Sequence, residues 1–238
     1  MLYTENAVKA NIRNREGKRV FYLNRGDTLT PGARDWLRSE RVEILDAEQA
    51  RPARFRLIGG GFAEEKPEHM THLNAEVLVN KTHPRIKFRG AMDTLEAEII
   101  LAQQAADGET VKLLGEVLSL ARRIIRCDVL EEELKEEKLC GMSANDIRTR
   151  SHRPQEFYGQ THFMPEYSDG AIIARLNRTR CAARDAEFCA VAAFSDREGN
   201  PLRTDIIRAL NRMSSMLYIL MIKVKSGDGK WKDQSWKN

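Results

Sequence analysis

Apolar residues at helical spacing dominate the sequence after about residue 90. In GAMDTLEAEIILAQQAAD, Leu95, Ile99 and Ala102 fall on one stripe, and VKLLGEVLSLARRIIRCDVLEEELKEEK resumes the pattern after a break at 107–110. The second segment predicts one long helix, bent near Asp128. Two more helices are predicted over 171–194 and 202–224, joined by the turn SDREGNP. These segments predict a mainly α-helical chain built around a helical bundle.

A polar segment separates these helices at 140–169. It is punctuated by Pro154, Gly159, Pro165 and Gly170. Thirty such residues inside a compact domain are unusual, so we predict a functional loop or lid here.

The first 60 residues have a different sequence pattern, with short segments in place of long helical ones. RVFYLNRG (19–26) and RVEIL (41–45) are typical of short strands, and Thr30 before Pro31 predicts the start of a short helix. We therefore predict a small α/β appendage over 1–60, a helical-bundle domain over 61–225 and a polar tail over 226–238. RPARFRLIGGGFAEEKPEHM (51–70) is typical of a flexible linker. Its three glycines could also cradle phosphate, but no GK[ST] follows them.

Composition excludes several classes. The 238 residues are 42% hydrophobic and 31% charged, and the net charge of +4 suits an anionic ligand without arguing for nucleic acid. The longest apolar run, MLYILMIKV (216–224), is too short to span a membrane. The N-terminus lacks the apolar core of a secretion signal, so we expect a cytoplasmic protein with four free cysteines. His69 and His72 could approach one metal, but no third ligand follows at convincing spacing.

The basic and acidic run RTRCAARDAE (178–187) raises the first question of function. On a helix, one face spread over about 60° carries five residues in line: Ile173, Arg180, Arg184, Glu187 and Val191. Arg175 and Arg178 point the other way. Apolar neighbours indicate partial burial, and buried arginines need partners. Glu187 can pair with Arg184, which leaves Arg180 for a second carboxylate or an anionic ligand, and spacing alone does not decide between a structural ion pair and an anion site.

Two other stretches carry polar groups into helices. KTHPRIKFRGAMDTLEAE gathers four basic residues before a helix predicted to begin near Gly90: Lys81, Arg85, Lys87 and Arg89. A helix N-terminus favours phosphate, although Asp93 in its first turn could simply complement the helix dipole. In RALNRMSSMLYIL (208–220), Asn211 and Ser214 interrupt an apolar helix, as expected of groups that bond to a neighbour or to a ligand in a cleft.

Together these stretches resemble one family, the ATP:cob(I)alamin adenosyltransferases. KTHPRIKFRGAMDTL (81–95) fits the K-x-x-P-R-[IV]-x-x-x-G-x-x-D-E-L segment of the propanediol-utilisation type. RCAARDAE (180–187) fits its R-x-x-x-R-x-A-E helix, and LNRMS (210–214) fits its L-N-R-L-S-D helix. The resemblance covers roughly residues 70–225. GDTLTPGARDWL (26–37) resembles the N-terminal appendage of the ethanolamine-utilisation type.

The resemblance implies a fold and a site. The fold is a cobalamin adenosyltransferase-like helical bundle, in which ATP binds near a subunit interface of a homo-oligomer with the corrin ring stacked above it. Lys81, Arg180 and Arg184 would clamp the triphosphate, and Thr71 matches a phosphate-loop threonine. The resemblance further implies that Asp93 is a carboxylate that pairs with the first arginine. Glu187 and Asn211 match nucleotide contacts, and Phe163 matches an aromatic side chain that closes beneath the corrin.

The resemblance also implies the chemistry. Co(I) of a reduced corrinoid attacks the 5′ carbon of ATP, with Mg²⁺ on the phosphates, so Asp93 and Arg180 are the expected catalytic residues and cobalamin is a substrate. It further implies a corrinoid reductant, ethanolamine ammonia-lyase as a possible partner, and association with a bacterial microcompartment. A non-catalytic corrinoid- or nucleotide-binding delivery module is the alternative function.

The sequence departs from the family pattern in three places. EKPEHM (65–70) replaces the usual glycine-rich segment, and Ser215 stands where an aspartate usually closes the third motif. Some ethanolamine-type members carry a His–x11–Cys-Cys–x2–Cys metal motif. Counted from His69, its cysteine positions hold Lys81, Thr82 and Arg85, so we predict no structural iron or zinc.

Overall fold

The computed structural model describes residues 1–50 and 55–226. The chain forms two compact units, Met1–His83 and a second that starts at Pro84. The division into 1–60, 61–225 and a tail over 226–238 stays a prediction. Residues 51–54 of the predicted linker and 227–238 of the predicted tail lie outside the described residues.

The first unit combines short strands with two helices. Its elements are β1 (Leu2–Tyr3), α1 (Glu5–Ala10), β2 (Arg13–Arg15), β3 (Lys18–Leu23), β4 (Thr28–Leu29), α2 (Pro31–Ser39), β5 (Glu43–Asp46), β6 (Phe55–Leu57), β7 (Phe62–Ala63), β8 (Met70–His72) and β9 (Val77–Asn80). Seven strands form one mixed sheet in the order β5-β3-β2-β7-β6-β9-β8, and β1 pairs in parallel with β4.

The predicted strands and helix of the appendage are confirmed. Thr30 caps α2, because its Oγ1 accepts the Ala33 N–H at 3.2 Å, and Pro31 is the first helical residue. The buried side of α2 packs with α1 and β3 in a small apolar core: Val8, Ile12, Phe21, Leu29, Ala33, Leu37 and Val42.

The interpretation of 51–70 as a flexible linker is wrong for its described part. β6 and β7 pair as an antiparallel hairpin within the seven-stranded sheet, and the glycine run forms the turn between them. Gly60 and Gly61 have φ of +92° and +82°, which favours glycine. A Cβ on Gly61 would lie 2.3 Å from the Ile12 carbonyl oxygen, so the glycine allows close approach of two strands.

The second unit is a bundle of helices. They are α3 (Pro84–Ala105), α4 (Gly108–Leu130), α5 (Ala144–His152), α6 (Pro154–Tyr158), α7 (Gly170–Ala193) and α8 (Thr204–Lys225). Helix α3 packs along α7, and α7 along α8. The predicted stripe of Leu95, Ile99 and Ala102 is fully buried, so a mainly α-helical fold is confirmed.

Helix α3 begins earlier than predicted. It starts at Pro84 rather than near Gly90. Proline is favoured at the first position of a helix, because the N–H that it lacks would have no partner there. Asp93 therefore lies in the third turn of α3, and its predicted place in the first turn is wrong.

Helix α4 ends before the acidic segment predicted to continue it. Glu131 adopts the left-handed conformation with φ of 57°, and its N–H closes the last turn on Cys127 and Asp128. The Leu134 N–H then donates to Asp205 Oδ2 at 2.9 Å, at the start of α8. Tertiary contacts therefore override the helical propensity of EEELKEEK.

The predicted loop over 140–169 contains two helices, α5 and α6. Ser143 and Asp146 form a capping box at the start of α5, with Ser143 Oγ accepting the Asp146 N–H. The longest stretch of 140–169 without helix or strand is 159–166, which we call the cleft loop.

Candidate nucleotide and corrinoid site

Helices α5, α7 and α8 and the cleft loop enclose a cleft of about 480 Å³ in the helical unit. It contains four of the residues that the resemblance assigns to the site: Phe163, Arg180, Arg184 and Asn211. The other lining residues are Ser151, His152, His162, Met164, Ser214, Ser215 and Tyr218. Residues from three separate stretches of the chain thus share one cavity, which has the size and mixed polarity of a ligand site.

The two arginines of the cleft carry no carboxylate partner among the described residues. Arg180 is half-buried, with its guanidinium 5.6 Å from the centre of the Tyr218 ring and Nη1 3.5 Å from Asn177 Oδ1. Arg184 is exposed and lies over Phe188 at 5.8 Å. Both cations are therefore available to an anion.

Glu187 does not pair with Arg184, so that expectation is wrong. Its Oε1 accepts a hydrogen bond from Asn211 Nδ2 at 2.9 Å, across the contact between α7 and α8. The amide is thereby oriented, with its carbonyl oxygen left as an acceptor. Ser214 Oγ bonds to the Asn211 carbonyl at 2.9 Å and remains within α8.

Asp93 and Arg180 do not form an ion pair within one chain. Asp93 is exposed in α3 and has no ion-pair partner among residues 1–50 and 55–226. On the same stripe of α3, Ile100 is 41% exposed, and on the stripe of Arg180 in α7 Val191 is 42% exposed. The stripes of both residues thus bear apolar side chains open to solvent.

Thr71 and Lys81 lie in the first unit, at the end of the seven-stranded sheet. Thr71 is in β8 opposite Val79 of β9, and the Lys81 N–H donates to the His69 carbonyl at 2.9 Å. Lys81 Nζ is 3.2 Å from Glu68 Oε1, and both side chains are exposed. One hairpin therefore holds both predicted phosphate contacts.

Arg85 and Arg89 have a structural role that the sequence did not reveal. Both guanidinium groups clamp the fully buried carboxylate of Asp128 in α4, with Nε of Arg85 at 2.9 Å from Oδ1 and Nε of Arg89 at 2.6 Å from Oδ2. Arg85 also bonds to the Asp128 carbonyl at 2.7 Å and to Glu131 at 3.1 Å. These two cations are neutralised, which is contrary to a phosphate-binding patch before α3.

A family model described as cobalamin adenosyltransferase matches residues 62–224. The chain belongs to this family. It is similar to corrinoid adenosyltransferase EutT of Salmonella typhimurium strain LT2, with 30% identity over 242 residues, covering 92% of this chain and 90% of that protein. Identity to corrinoid adenosyltransferase EutT of Escherichia coli K12 is 31% over the same shares of the two chains. The resemblance drawn from the motifs is confirmed.

The cleft of this adenosyltransferase family member also contains residues that sequence reasoning missed. His162 precedes Phe163 and stacks on Tyr218, with ring centres 5.7 Å apart and planes inclined by 12°. Tyr218 lies seven residues, two helical turns, after Asn211. That spacing on an otherwise apolar helix was the available signal.

Residues 1–50 and 55–226 contain neither a membrane-spanning helix nor a cluster of metal ligands. In that part of the chain, no helix is long and apolar enough to cross a membrane. Within the same residues, no three His, Cys, Asp or Glu side chains are grouped as a metal site would require.

Proposed function

We propose that this protein transfers the 5′-deoxyadenosyl group of ATP to the cobalt of a reduced corrinoid, forming adenosylcobalamin. One observation carries the proposal beyond family membership. Phe163, Arg180, Arg184 and Asn211 come from three sequence stretches and line one cleft, with a cationic wall on α7 and an aromatic wall on the cleft loop.

The cationic wall suits the leaving group. As Co(I) attacks C5′, its electron pair forms the Co–C bond while the C5′–O bond breaks and the triphosphate departs with the electrons of that bond. Arg180 and Arg184 would hold the phosphates, so they stabilise charge that develops in the transition state. Co(I) is itself the nucleophile, and the protein needs no base.

The remaining roles concern positioning. Asn211, oriented by Glu187, would contact the nucleotide, and Phe163 would close beneath the corrin and exclude a lower axial ligand. Holding C5′ in line with cobalt can lower the barrier by about 7–11 kcal/mol. The assignment of Lys81 and Thr71 to the phosphates rests on the family motif alone and stays a prediction.

Mg²⁺ belongs to this proposal as part of the nucleotide substrate. Glu187 is a carboxylate in direct contact with a predicted nucleotide contact, because its Oε1 accepts a hydrogen bond from Asn211. Since the described residues hold no cluster of metal ligands, the phosphates would carry the ion into the site. There it would neutralise phosphate charge.

The spectrum of adenosylcobalamin tests the function. Chemically reduced cobalamin and ATP should yield that spectrum with stoichiometric loss of ATP, and Arg180→Ala should reduce the rate by about 10²–10³-fold. Arg175→Ala is the matched control, because Arg175 is an exposed arginine of the same helix. The alternative, a delivery module, predicts binding of both ligands without formation of the product.

We also propose a homo-oligomer in which Asp93 of one copy pairs with Arg180 of another. The pair that the family motif implies is absent within the chain, while the stripes holding both residues bear exposed apolar side chains, as an interface would. Asp93→Ala and Asp93→Asn should each lose most activity. The asparagine amide keeps the shape of the carboxylate but lacks the charge that the ion pair needs.

Mixing tests the pairing between copies. Asp93→Ala and Arg180→Ala, each inactive alone, should recover activity when refolded together, because some interfaces then combine two unaltered residues. Recovery requires that the residues come from different copies. A mixture as inactive as its components contradicts the pairing and leaves the adenosylation result untouched.

The biological setting completes the proposal. Similarity to EutT proteins supports service to ethanolamine catabolism, with a corrinoid reductant as donor of electrons and ethanolamine ammonia-lyase as consumer of the product. Cytoplasmic location near a bacterial microcompartment stays part of the same proposal.

A further inference from the structure

The hydroxyl of Tyr218 is the meeting point of the cleft. The backbone N–H of Phe163 donates to Tyr218 Oη at 3.2 Å, and His162 Nδ1 lies 3.1 Å from the same oxygen. The rings of His162 and Phe163 both stack on the tyrosine, with centres 5.7 and 6.0 Å away. Arg180 also lies over the Tyr218 ring, at 5.6 Å. One side chain of α8 thus contacts both the cleft loop and the first arginine.

These hydrogen bonds have a determined direction when the imidazole is neutral. His162 Nε2 lies 3.3 Å from the His152 carbonyl oxygen, which can only accept, so Nε2 carries the proton. Nδ1 is then an acceptor, and the Tyr218 hydroxyl donates to it while its oxygen accepts the Phe163 N–H. Every donor in this series of hydrogen bonds, from the His152 carbonyl to the Phe163 N–H, therefore meets an acceptor. Both imidazole nitrogens are thereby engaged in hydrogen bonds. Nitrogen atoms bind cobalt readily, so these bonds matter for a histidine that lies next to Phe163, beneath the proposed corrin position.

Phe163 is also held from the end of α8. The ammonium of Lys225 lies 4.3 Å from the centre of the Phe163 ring, within the range of a cation–π contact. Lys225 Nζ pairs with Asp169 Oδ1 at 2.7 Å, and this hydrogen bond lowers the pKa of Asp169. The aromatic side chain therefore contacts α8 side chains two turns apart.

We propose that Tyr218 is a positioning residue with two separable parts. Its hydroxyl fixes the cleft loop, and with it Phe163, on the corrinoid side, while its ring supports Arg180 on the ATP side. The inference rests on the proposed function for the identity of the two ligands. The contacts themselves do not depend on that identity.

Two variants separate the parts. Tyr218→Phe removes the hydroxyl and keeps the ring, so KM for reduced cobalamin should rise about tenfold, as expected for two lost hydrogen bonds, with KM for ATP within about twofold. Tyr218→Leu removes the ring as well and should raise both KM values. Tyr167→Phe is the control, because Tyr167 is a fully exposed tyrosine just beyond the cleft loop.

A double variant checks that the hydroxyl acts through the loop. His162→Ala removes the acceptor of the tyrosine proton, so Tyr218→Phe/His162→Ala should raise KM for cobalamin by less than the product of the two single effects. An increase in KM for ATP as large as that for cobalamin in Tyr218→Phe overturns the assignment of the hydroxyl to the corrinoid side.

Hydrogen exchange gives a readout that needs no activity. The Phe163 amide should exchange about tenfold faster in Tyr218→Phe, whereas amides of α5 should keep their rates. Unchanged exchange and an unchanged KM for cobalamin in that variant refute the positioning role. If the unaltered protein forms no adenosylcobalamin but Tyr218→Phe accelerates exchange at Phe163, the proposed function fails and the loop contact stands.

Discussion

Replacement of Asp128 by alanine is expected to destabilise the helical unit by about 3–5 kcal/mol, the usual cost of removing one member of a buried ion pair. The magnitude follows from the contacts. The carboxylate is fully buried and accepts Nε–H bonds from Arg85 at 2.9 Å and from Arg89 at 2.6 Å. Two charge-assisted bonds of about 1.5–3 kcal/mol each give about 3–6 kcal/mol. Asp128→Asn keeps one acceptor oxygen and should lose about half as much.

Urea unfolding followed by far-ultraviolet circular dichroism measures the change, because the long helices dominate that signal. Tryptophan fluorescence is unsuitable here, since the three tryptophans lie at 36, 231 and 236, outside α3–α8. Glu131→Ala is the control. Glu131 contacts the same Arg85 at 3.1 Å, but its side chain is 60% exposed, so its loss should cost about 0–1 kcal/mol. Equal unfolding midpoints for Asp128→Ala and Glu131→Ala would refute the argument.

Two further predictions concern a buried thiol and a tight turn. Burial, followed by the nearby Glu116 carboxylate, raises the pKa of Cys140 from 9.0 to about 12, so the folded thiol keeps a proton that the unfolded thiol loses. The free energy of unfolding should therefore fall between pH 9 and 12 by up to about 1.4 kcal/mol per pH unit. The difference in urea midpoint between the unaltered protein and Cys140→Ala, followed across this pH range, measures the change. Parallel pH profiles of the two proteins would contradict it. Gly61→Ala should destabilise the first unit by at least about 1–2 kcal/mol because of its positive φ and the Ile12 carbonyl, whereas Gly59→Ala should change stability by less than about 1 kcal/mol. Thermal unfolding followed by fluorescence of Trp36, with the two tail tryptophans replaced, distinguishes these variants.

Periodicity predicted the helices well because burial of a stripe is a local property of the sequence. Leu95, Ile99 and Ala102 are buried as their spacing requires, and the Thr30–Pro31 start signal was correct. The end of α4 was missed because it depends on Asp205, about seventy residues further along the chain. The capping box at Ser143 was a readable start signal that the polar character of 140–169 obscured.

Four of the predicted site residues line one cleft, namely Phe163, Arg180, Arg184 and Asn211, while their roles toward ATP and the corrinoid stay predictions. The contacts between side chains were predicted less well. Helical spacing alone paired Glu187 with Arg184, because it considers neighbours on one helix only, whereas the structure gives Glu187 to Asn211 on the next helix. Tyr218 was missed for a similar reason, since its hydrogen-bond partners lie more than fifty residues earlier.

The clamp on Asp128 affects how loss-of-function variants should be interpreted. Arg85 belongs to the motif that identifies the family, yet each of the contacts described for it ends on α4 or the residue that follows. A variant at Arg85 would lower total activity by reducing the fraction of folded molecules, while each folded molecule would work at its normal rate. In a mutational scan such a position resembles a catalytic one. Only activity divided by the concentration of folded protein separates residues that keep the bundle in register from those that handle the substrates.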